Sequence, residues 1–342
     1  MRFLYLLLTF LLLDVLVILH EGGHFLVARL SGITVNEFSV GMGPAVISRI
    51  SKKSGIKFSL RALPIGGFVS MAGEDGESED KHAFCNVSRL RRILTVAAGP
   101  AVNLVVGFLV MVLVVCFSTP VSTTVAEFAE DAVSVTCGLE AGDKVLKVGK
   151  TRVFTGNELV YEIMMQGSEP VDLLVERGGE KITLENVAFP VITEEDVDFG
   201  DADFVLYAER KTPGVLVRHA FSRSVSTVKM VFDSLGGLLS GRFGLKSVSG
   251  PIGISDAVGK AAGVGFTSLL YLFAVISVNL GVMNLLPLPV LDGGRLLTLL
   301  VAVVIRRDPP PAFERAVNTV GFVLLMALTL LITFKDIFKL FF

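Results

Sequence analysis

Four stretches of this sequence are apolar for longer than a soluble helix needs, and nothing else in it limits the fold so strongly. Residues 3–30 read FLYLLLTFLLLDVLVILHEGGHFLVARL, and residues 93–117 read ILTVAAGPAVNLVVGFLVMVLVVCF; further runs occupy 265–288 and 317–334. A helix crosses the hydrocarbon core with roughly 20 apolar residues. The composition agrees: 52% of the 342 residues are hydrophobic and 19% are charged, below the usual quarter, and the mean hydropathy is +0.68. The expectation is a polytopic α-helical membrane protein with four transmembrane helices. A net charge of −2 offers nothing to nucleic acid. Residues 3–30 do not read as a cleavable signal peptide. Arg2 is the single basic residue before the run, the run is too long, and no small-residue cleavage site follows it.

Between the spans the character changes. Residues 31–92 are polar, with strands expected at 34–43 and 55–71; Ile56, Phe58 and Leu60 alternate with Lys57, Ser59 and Arg61 as on a half-buried strand. Pro64, Gly66 and Gly67 then suit a hairpin or an edge strand. Residues 119–212 are rich in Val, Glu and Asp and long enough for one small soluble α+β domain. From 213 to 248, Phe221, Val225, Val228, Phe232, Leu235 and Leu239 recur at helical spacing while Arg218, Ser222, Lys229 and Asp233 fall off that stripe. This amphipathic helix fits a membrane surface or the soluble domain equally well. The domain plan is therefore 1–118, 119–212, 213–248 and 249–342. Lys and Arg set the orientation. The 31–92 loop carries nine of them in 62 residues, and Arg295, Arg306, Arg307 and Arg315 lie between the last two spans. The positive-inside rule puts both loops in the cytoplasm and the soluble domain and both termini outside.

The chemistry is expected where two of the four histidines stand close together, in His20-Glu21-Gly22-Gly23-His24. On a helix, positions i and i+4 share a face, so both imidazoles reach one metal. Glu21 is about 100° round the helix, near enough to act as a general base toward water at that metal. Zinc sites of this kind take three protein ligands, and ionisable groups inside an apolar span are usually functional. A third ligand should be another acid or histidine. Asp292 is the one acid between Asp256 and Asp308; capping the helix that follows is its competing role. Asp14, two turns before Glu21, either supports the site or reaches interfacial water. His82 and His219 read as solvated and Cys85, Cys116 and Cys137 as unpaired, because none falls in a ligand spacing.

HEGGHFLVAR (20–29), FSVGMGP (38–44), LPIGGFVSMAGE (63–74), AAGPAVN (97–103), SGPIGI (249–254) and NLLPLPVLDGG (284–294) occur in that order. Together they resemble the site-2 protease family of intramembrane zinc metalloproteases, in particular the bacterial regulator-of-sigma proteases of the RseP and RasP type. The resemblance implies Zn²⁺ held by His20, His24 and Asp292, with Glu21 catalytic. It implies that Asn279 and Asn284, with Pro287 and Pro289 of the same motif, hold unwound substrate, and that Ser59 belongs to a membrane-associated β-hairpin whose edge pairs with it. It implies regulated intramembrane proteolysis of single-span membrane proteins in a bacterial inner membrane, with the active site toward the cytoplasm. The substrate would be an anti-sigma factor already cut by a site-1 protease, a remnant signal peptide, or both. The 119–212 domain resembles one extracytoplasmic PDZ module, with 138–149 as the matching segment. The alternative is a catalytically silent PDZ or metal-binding scaffold in the lipid bilayer.

Overall fold

The computed structural model describes residues 2–74, 76–194, 197–244, 248, 250–308 and 310–341; Ser249 of the SGPIGI motif lies outside them. In chain order, α1 (Arg2–Leu30), β1 (Val35–Ile50), β2 (Lys57–Met71) and α2 (Arg89–Phe117) come first. Then follow β3 (Val121–Phe128), β4 (Lys144–Val148), β5 (Thr151–Arg152), α3 (Gly156–Gln166), β6 (Val171–Arg177), β7 (Glu180–Val187), β8 (Val191–Glu194), β9 (Val197–Gly200), β10 (Phe204–Ala208) and α4 (Pro213–Ser240). The chain ends with α5 (Pro251–Val264), α6 (Phe266–Leu285), α7 (Asp292–Ile305) and α8 (Pro311–Phe341). Four helices contain stretches long and apolar enough to span a membrane: Leu4–Leu30, Arg89–Phe117, Phe266–Leu285 and Ala312–Asp336. The chain forms two compact units, Met1–Gly107 with Ser249–Phe342, and Phe108–Val248.

In the first unit, small residues let helices approach closely, as they do where lipid supplies no hydrophobic drive for helix association. A Cβ on Gly23 of α1 would meet the Ala98 carbonyl of α2 at 2.6 Å. One on Gly107 would meet Val278 Cγ2 of α6 at 2.6 Å, and Gly281 of α6 lies as tightly on Leu104 and Pro100. Ser277 Oγ donates to the Asn103 carbonyl at 2.7 Å, tying α6 to α2 in a fully buried place.

The β1–β2 pair is more than a hairpin. Ser39 faces both Ser59 and Phe68, and Ser59 faces both Ser39 and Ser48. Each long strand is bent, β1 at Gly41 and Gly43 and β2 at Gly66, all with positive φ, which glycine alone adopts without strain. The result is four strand segments side by side, in the order 45–50, 57–61, 35–40 and 67–71. The edge expected around Ser59 is therefore an interior strand, and the free edge of β2 is 67–71. Alternation alone reads one segment at a time and does not show that a bend brings a second partner.

The second unit contains an antiparallel sheet in the order β10-β3-β4-β6-β7, with β5 on β4, and a separate β8–β9 hairpin. Its core is Val125, Leu139, Val145, Val148, Leu159, Ile163, Leu173, Val175 and Val187, all fully buried. Thr155 caps α3 by accepting from the Glu158 N–H, while Glu158 Oε2 accepts from Phe154 N–H, a reciprocal cap written in Thr155-Gly-Asn-Glu158. Buried Asp203 accepts three bonds, from Val133 N–H, Ser134 N–H and Ser134 Oγ–H. Helix α4 packs on α3 through polar groups. Ser222 bonds Thr155 and Glu158, Tyr161 donates to Asp233, and Lys229 pairs with Glu162. The apolar stripe of α4 faces the other way, so Phe221, Val225, Phe232 and Leu239 are exposed.

Candidate metal centre

The helical spacing of His20 and His24 puts both rings on one face of α1, with centroids 4.8 Å apart and planes nearly perpendicular. Both are buried, at 8% exposure. Their Nε2 atoms are 3.2 Å apart, and Asp292 Oδ2 lies 3.0 Å from one and 3.3 Å from the other. Asp292 Oδ2 is buried yet has no hydrogen-bond partner among the described residues. Three ligand atoms crowded to within 3.3 Å of one another fit a cation between them. Zinc–ligand bonds of about 2.0–2.1 Å in a tetrahedron separate neighbouring ligands by roughly 3.3 Å, close to the spacing here. Two imidazoles and one carboxylate are also the protein donor set that zinc takes in hydrolytic sites.

Asp292 does not cap α7. Leu291 occupies the cap position, with no side-chain cap bond, and Asp292 is the first helical residue. Its carboxylate is thus available to the histidines. The two glycines after it are required by packing: side chains at 293 and 294 would run into the carbonyls of Leu286 and Leu288 at the end of α6. Arg295 then secures the helix. Its guanidinium donates to Glu74 Oε1 at 2.6 Å and to the Glu74 carbonyl at 2.7 Å, and it lies over the Phe84 ring at 4.5 Å.

Helix α2 supports the rings from behind. His24 Nδ1 is 2.8 Å from the Thr95 carbonyl, and the Asn103 amide is 3.3 Å from His20 Nδ1. Gly99 lies between them on the same face, where a Cβ would strike His24 Cε1 at 2.6 Å and His20 Cε1 at 2.9 Å. Pro100 has no N–H for the Val96 carbonyl and crowds it, which loosens the helical ladder beside Thr95.

Glu21 lies on the β2 side of α1. The Val69 backbone hydrogen-bonds its carboxylate, and a Cβ on Gly67 would come 3.6 Å from Glu21 Cγ. Asp14 Oδ1 accepts the Gly66 N–H at 3.1 Å. Asp14 therefore ties the bend of β2 to α1. The free-edge segment 67–71 runs past the one candidate general base.

The remaining sequence expectations are distributed as follows. Ser59 is buried in the interior strand. Asn279 and Pro287 are exposed, and Asn284 and Pro289 half-buried, around the α6–α7 connection; Pro289 packs where a Cβ on Gly321 of α8 would be. His82 is exposed as expected. His219 is not. It is fully buried in α4, with its ring 3.6 Å from Glu209, and burial pushes its pKa down despite that carboxylate. The sequence placed it off the apolar stripe, but the off-stripe face is the one that docks. Thr95, Gly99 and Asn103 escaped the sequence reading as separate residues. Their signal is a spacing of four inside TVAAGPAVN.

Comparison with known proteins adds the following. Residues 8–328 match the profile of Peptidase family M50. A protein of Clostridium perfringens whose name classes it with zinc metalloproteases is 35% identical over 334 residues, covering 97% of this chain and 98% of that one. A similarly named protein of Clostridium acetobutylicum is 33% identical, with 98% of each chain covered. The zinc metalloprotease RasP of Shouchella clausii is 27% identical, over 96% of this chain and 97% of its own.

Proposed function

Because the chain belongs to peptidase family M50 and is a zinc metalloprotease, we propose that His20, His24 and Asp292 hold its zinc, that Glu21 is its general base, and that it hydrolyses peptide bonds within membrane-spanning segments. The observation that carries this is the convergence of three ligand atoms at 3.0–3.3 Å, two of them from a helix apolar enough to cross a bilayer. Zinc in that position supplies Lewis acidity to a peptide carbonyl and to water. The protein's own part is positional. Thr95 and the α2 backbone hold the rings, and Arg295 with Glu74 holds the helix that carries Asp292. Glu21 takes the proton from the attacking water and can return it to the leaving amine.

A substrate helix hides its peptide bonds, so it must unwind, and its freed N–H and C=O groups then need partners inside lipid. The 67–71 edge, beside Glu21, supports pairing by strand addition. This moves the expected strand contact from Ser59 to the outer segment of the same strand. Asn279, Asn284, Pro287 and Pro289 line the α6–α7 connection that leads into Asp292 and are proposed as further substrate contacts. The exposed stripe of α4 supports its placement on a membrane surface. The charge distribution supports an inner-membrane orientation with residues 119–212 outside, and those residues are proposed as a PDZ-like module. The substrates proposed are single-span membrane proteins, an anti-sigma factor or remnant signal peptides among them. A silent scaffold would not require Glu21 to stand beside both the ligands and the outermost strand segment 67–71.

The test is Glu21→Gln in purified full-length protein. It keeps shape and removes the base, so zinc content should stay at one per chain while cleavage of a transmembrane substrate falls by at least about 10²-fold. Turnover near that of the unmodified protein would end the general-base assignment.

A further inference from the structure

We propose that Asn103 is the positioning residue for His20, with its amide oxygen accepting the proton of His20 Nδ1 so that Nε2 faces the metal. This rests on the assignment of His20 as a ligand.

An imidazole that binds a metal through Nε2 is neutral and carries its hydrogen on Nδ1, which must then donate. His24 meets that requirement at the Thr95 carbonyl, 2.8 Å away. For His20, the hydrogen-bonding partner of Nδ1 among the described residues is the Asn103 side chain at 3.3 Å, with the amide nitrogen toward the ring. That arrangement sets a donor against a donor. The same side chain has its oxygen buried and without a partner among the described residues. The two ends of an amide differ only in this assignment. Turning it end for end gives His20 an acceptor and gives the orphaned oxygen its donor in one move.

The surroundings are built for a fixed side chain. Asn103 is fully buried. Its carbonyl is held from α6 by Ser277 Oγ at 2.7 Å. Thr95, Gly99 and Asn103 recur every four residues and so occupy one face of α2. The first and last offer oxygen to the two Nδ1 atoms, and the middle one, lacking a side chain, lets both rings in. The Ser277 bond fixes the backbone that carries the amide, and an asparagine buried only for packing would not need a ring nitrogen at its tip. Groups that orient metal-binding histidines from behind typically contribute 10–100-fold in metal affinity.

The test compares zinc affinity, by chelator competition, in folded full-length Asn103→Leu, Asn103→Asp and His20→Ala proteins, with the visible spectrum of the cobalt-substituted forms as a second readout. Asn103→Leu keeps size and removes the acceptor; zinc should bind about 10–100-fold more weakly, and the cobalt bands should change. Asn103→Asp keeps an acceptor and should bind zinc within about threefold of the unmodified protein or more tightly. Unchanged affinity and spectrum in Asn103→Leu would overturn the proposal, as would equal losses in Leu and Asp, which is the signature of packing alone. If Asn103→Leu does not fold, Asn103→Asp decides, and a tenfold or greater loss there counts against it. His20→Ala separates the two levels. Undiminished zinc in that variant refutes the ligand assignment itself, whereas lost zinc there with full zinc in Asn103→Leu refutes the positioning role alone.

Discussion

Substituting Gly99 by Ala adds one methyl group to a helix, and on helix propensity alone it should stabilise α2 by about 1 kcal/mol. The surroundings reverse that sign. The new Cβ would stand 2.6 Å from His24 Cε1 and 2.9 Å from His20 Cε1, against a comfortable carbon–carbon distance of about 3.5 Å. The His24 ring, whose Nε2 is closer still, must therefore retreat by at least about 0.9 Å and the His20 ring by about 0.6 Å. They cannot swing aside freely, because His24 is held by Thr95 and His20 lies against Asn103. Metal–ligand distances tolerate about 0.2 Å, so the displacement should remove the equivalent of one ligand. Structural zinc sites bind with about 10–16 kcal/mol over four ligands, or roughly 3 kcal/mol each, and every 1.4 kcal/mol is tenfold. The expected loss in zinc affinity is about 10²-fold, measured by chelator competition on protein shown to be folded. Gly107→Ala is the control. It makes an equally tight clash on the same helix, with Val278 Cγ2 at 2.6 Å, so it should lower stability and leave the zinc affinity of the folded fraction within about threefold. Gly99→Ala with affinity within threefold of the original would refute the claim that α2 sets the ring positions.

Three further outcomes are expected. Asp292→Ala should fall well below one zinc per chain by metal analysis, and full retention would mean the third ligand lies elsewhere. Ser59→Pro should lower stability and cleavage together, for a helical substrate and an extended peptide alike, because the ring breaks an interior strand; selective loss on the helical substrate would instead restore Ser59 to a substrate-pairing role. In the Phe108–Val248 unit, burial raises the Asp143 carboxyl, but the Arg177 guanidinium and the Glu140 N–H outweigh it and hold the pKa below the ordinary value. A lowered folded pKa gives stability that is complete above about pH 5 and is lost as pH falls through the folded value. Hydrogen-exchange protection of β4 and β6 should decline in that range, and Arg177→Leu should flatten the decline while costing about 2 kcal/mol at neutral pH.

What could be read from the sequence depended on how far apart the cooperating residues lie. The spans declare themselves by length, and His20 with His24 by a one-turn spacing. Asp292 stands out because it is a lone acid among apolar residues, and the Thr155–Glu158 cap is a four-residue signature. Contacts that need a third dimension were missed or inverted. The double pairing of Ser59 depends on bends at Gly41, Gly43 and Gly66, each harmless taken alone. For α4 the helix was legible while its placement stood open between the membrane surface and the soluble domain; which face docks could not be read, and the structure sets the polar side against α3. Thr95 and Asn103 sit in an apolar run where a threonine and an asparagine look incidental until α1 is laid against them.

The ligands are also separated in time. Two reside in the first helix and the third enters 292 − 24 = 268 residues after His24. At about 5–20 residues per second, the ribosome needs roughly 13–54 s to pass from one to the other. Throughout that interval the nascent chain carries a histidine pair without its carboxylate, in a membrane crowded with other newly inserted helices. With His20, His24 and Asp292 as the proposed ligands, the site is complete only once α7 has been delivered, so the order of the motifs makes its completion one of the last events of synthesis.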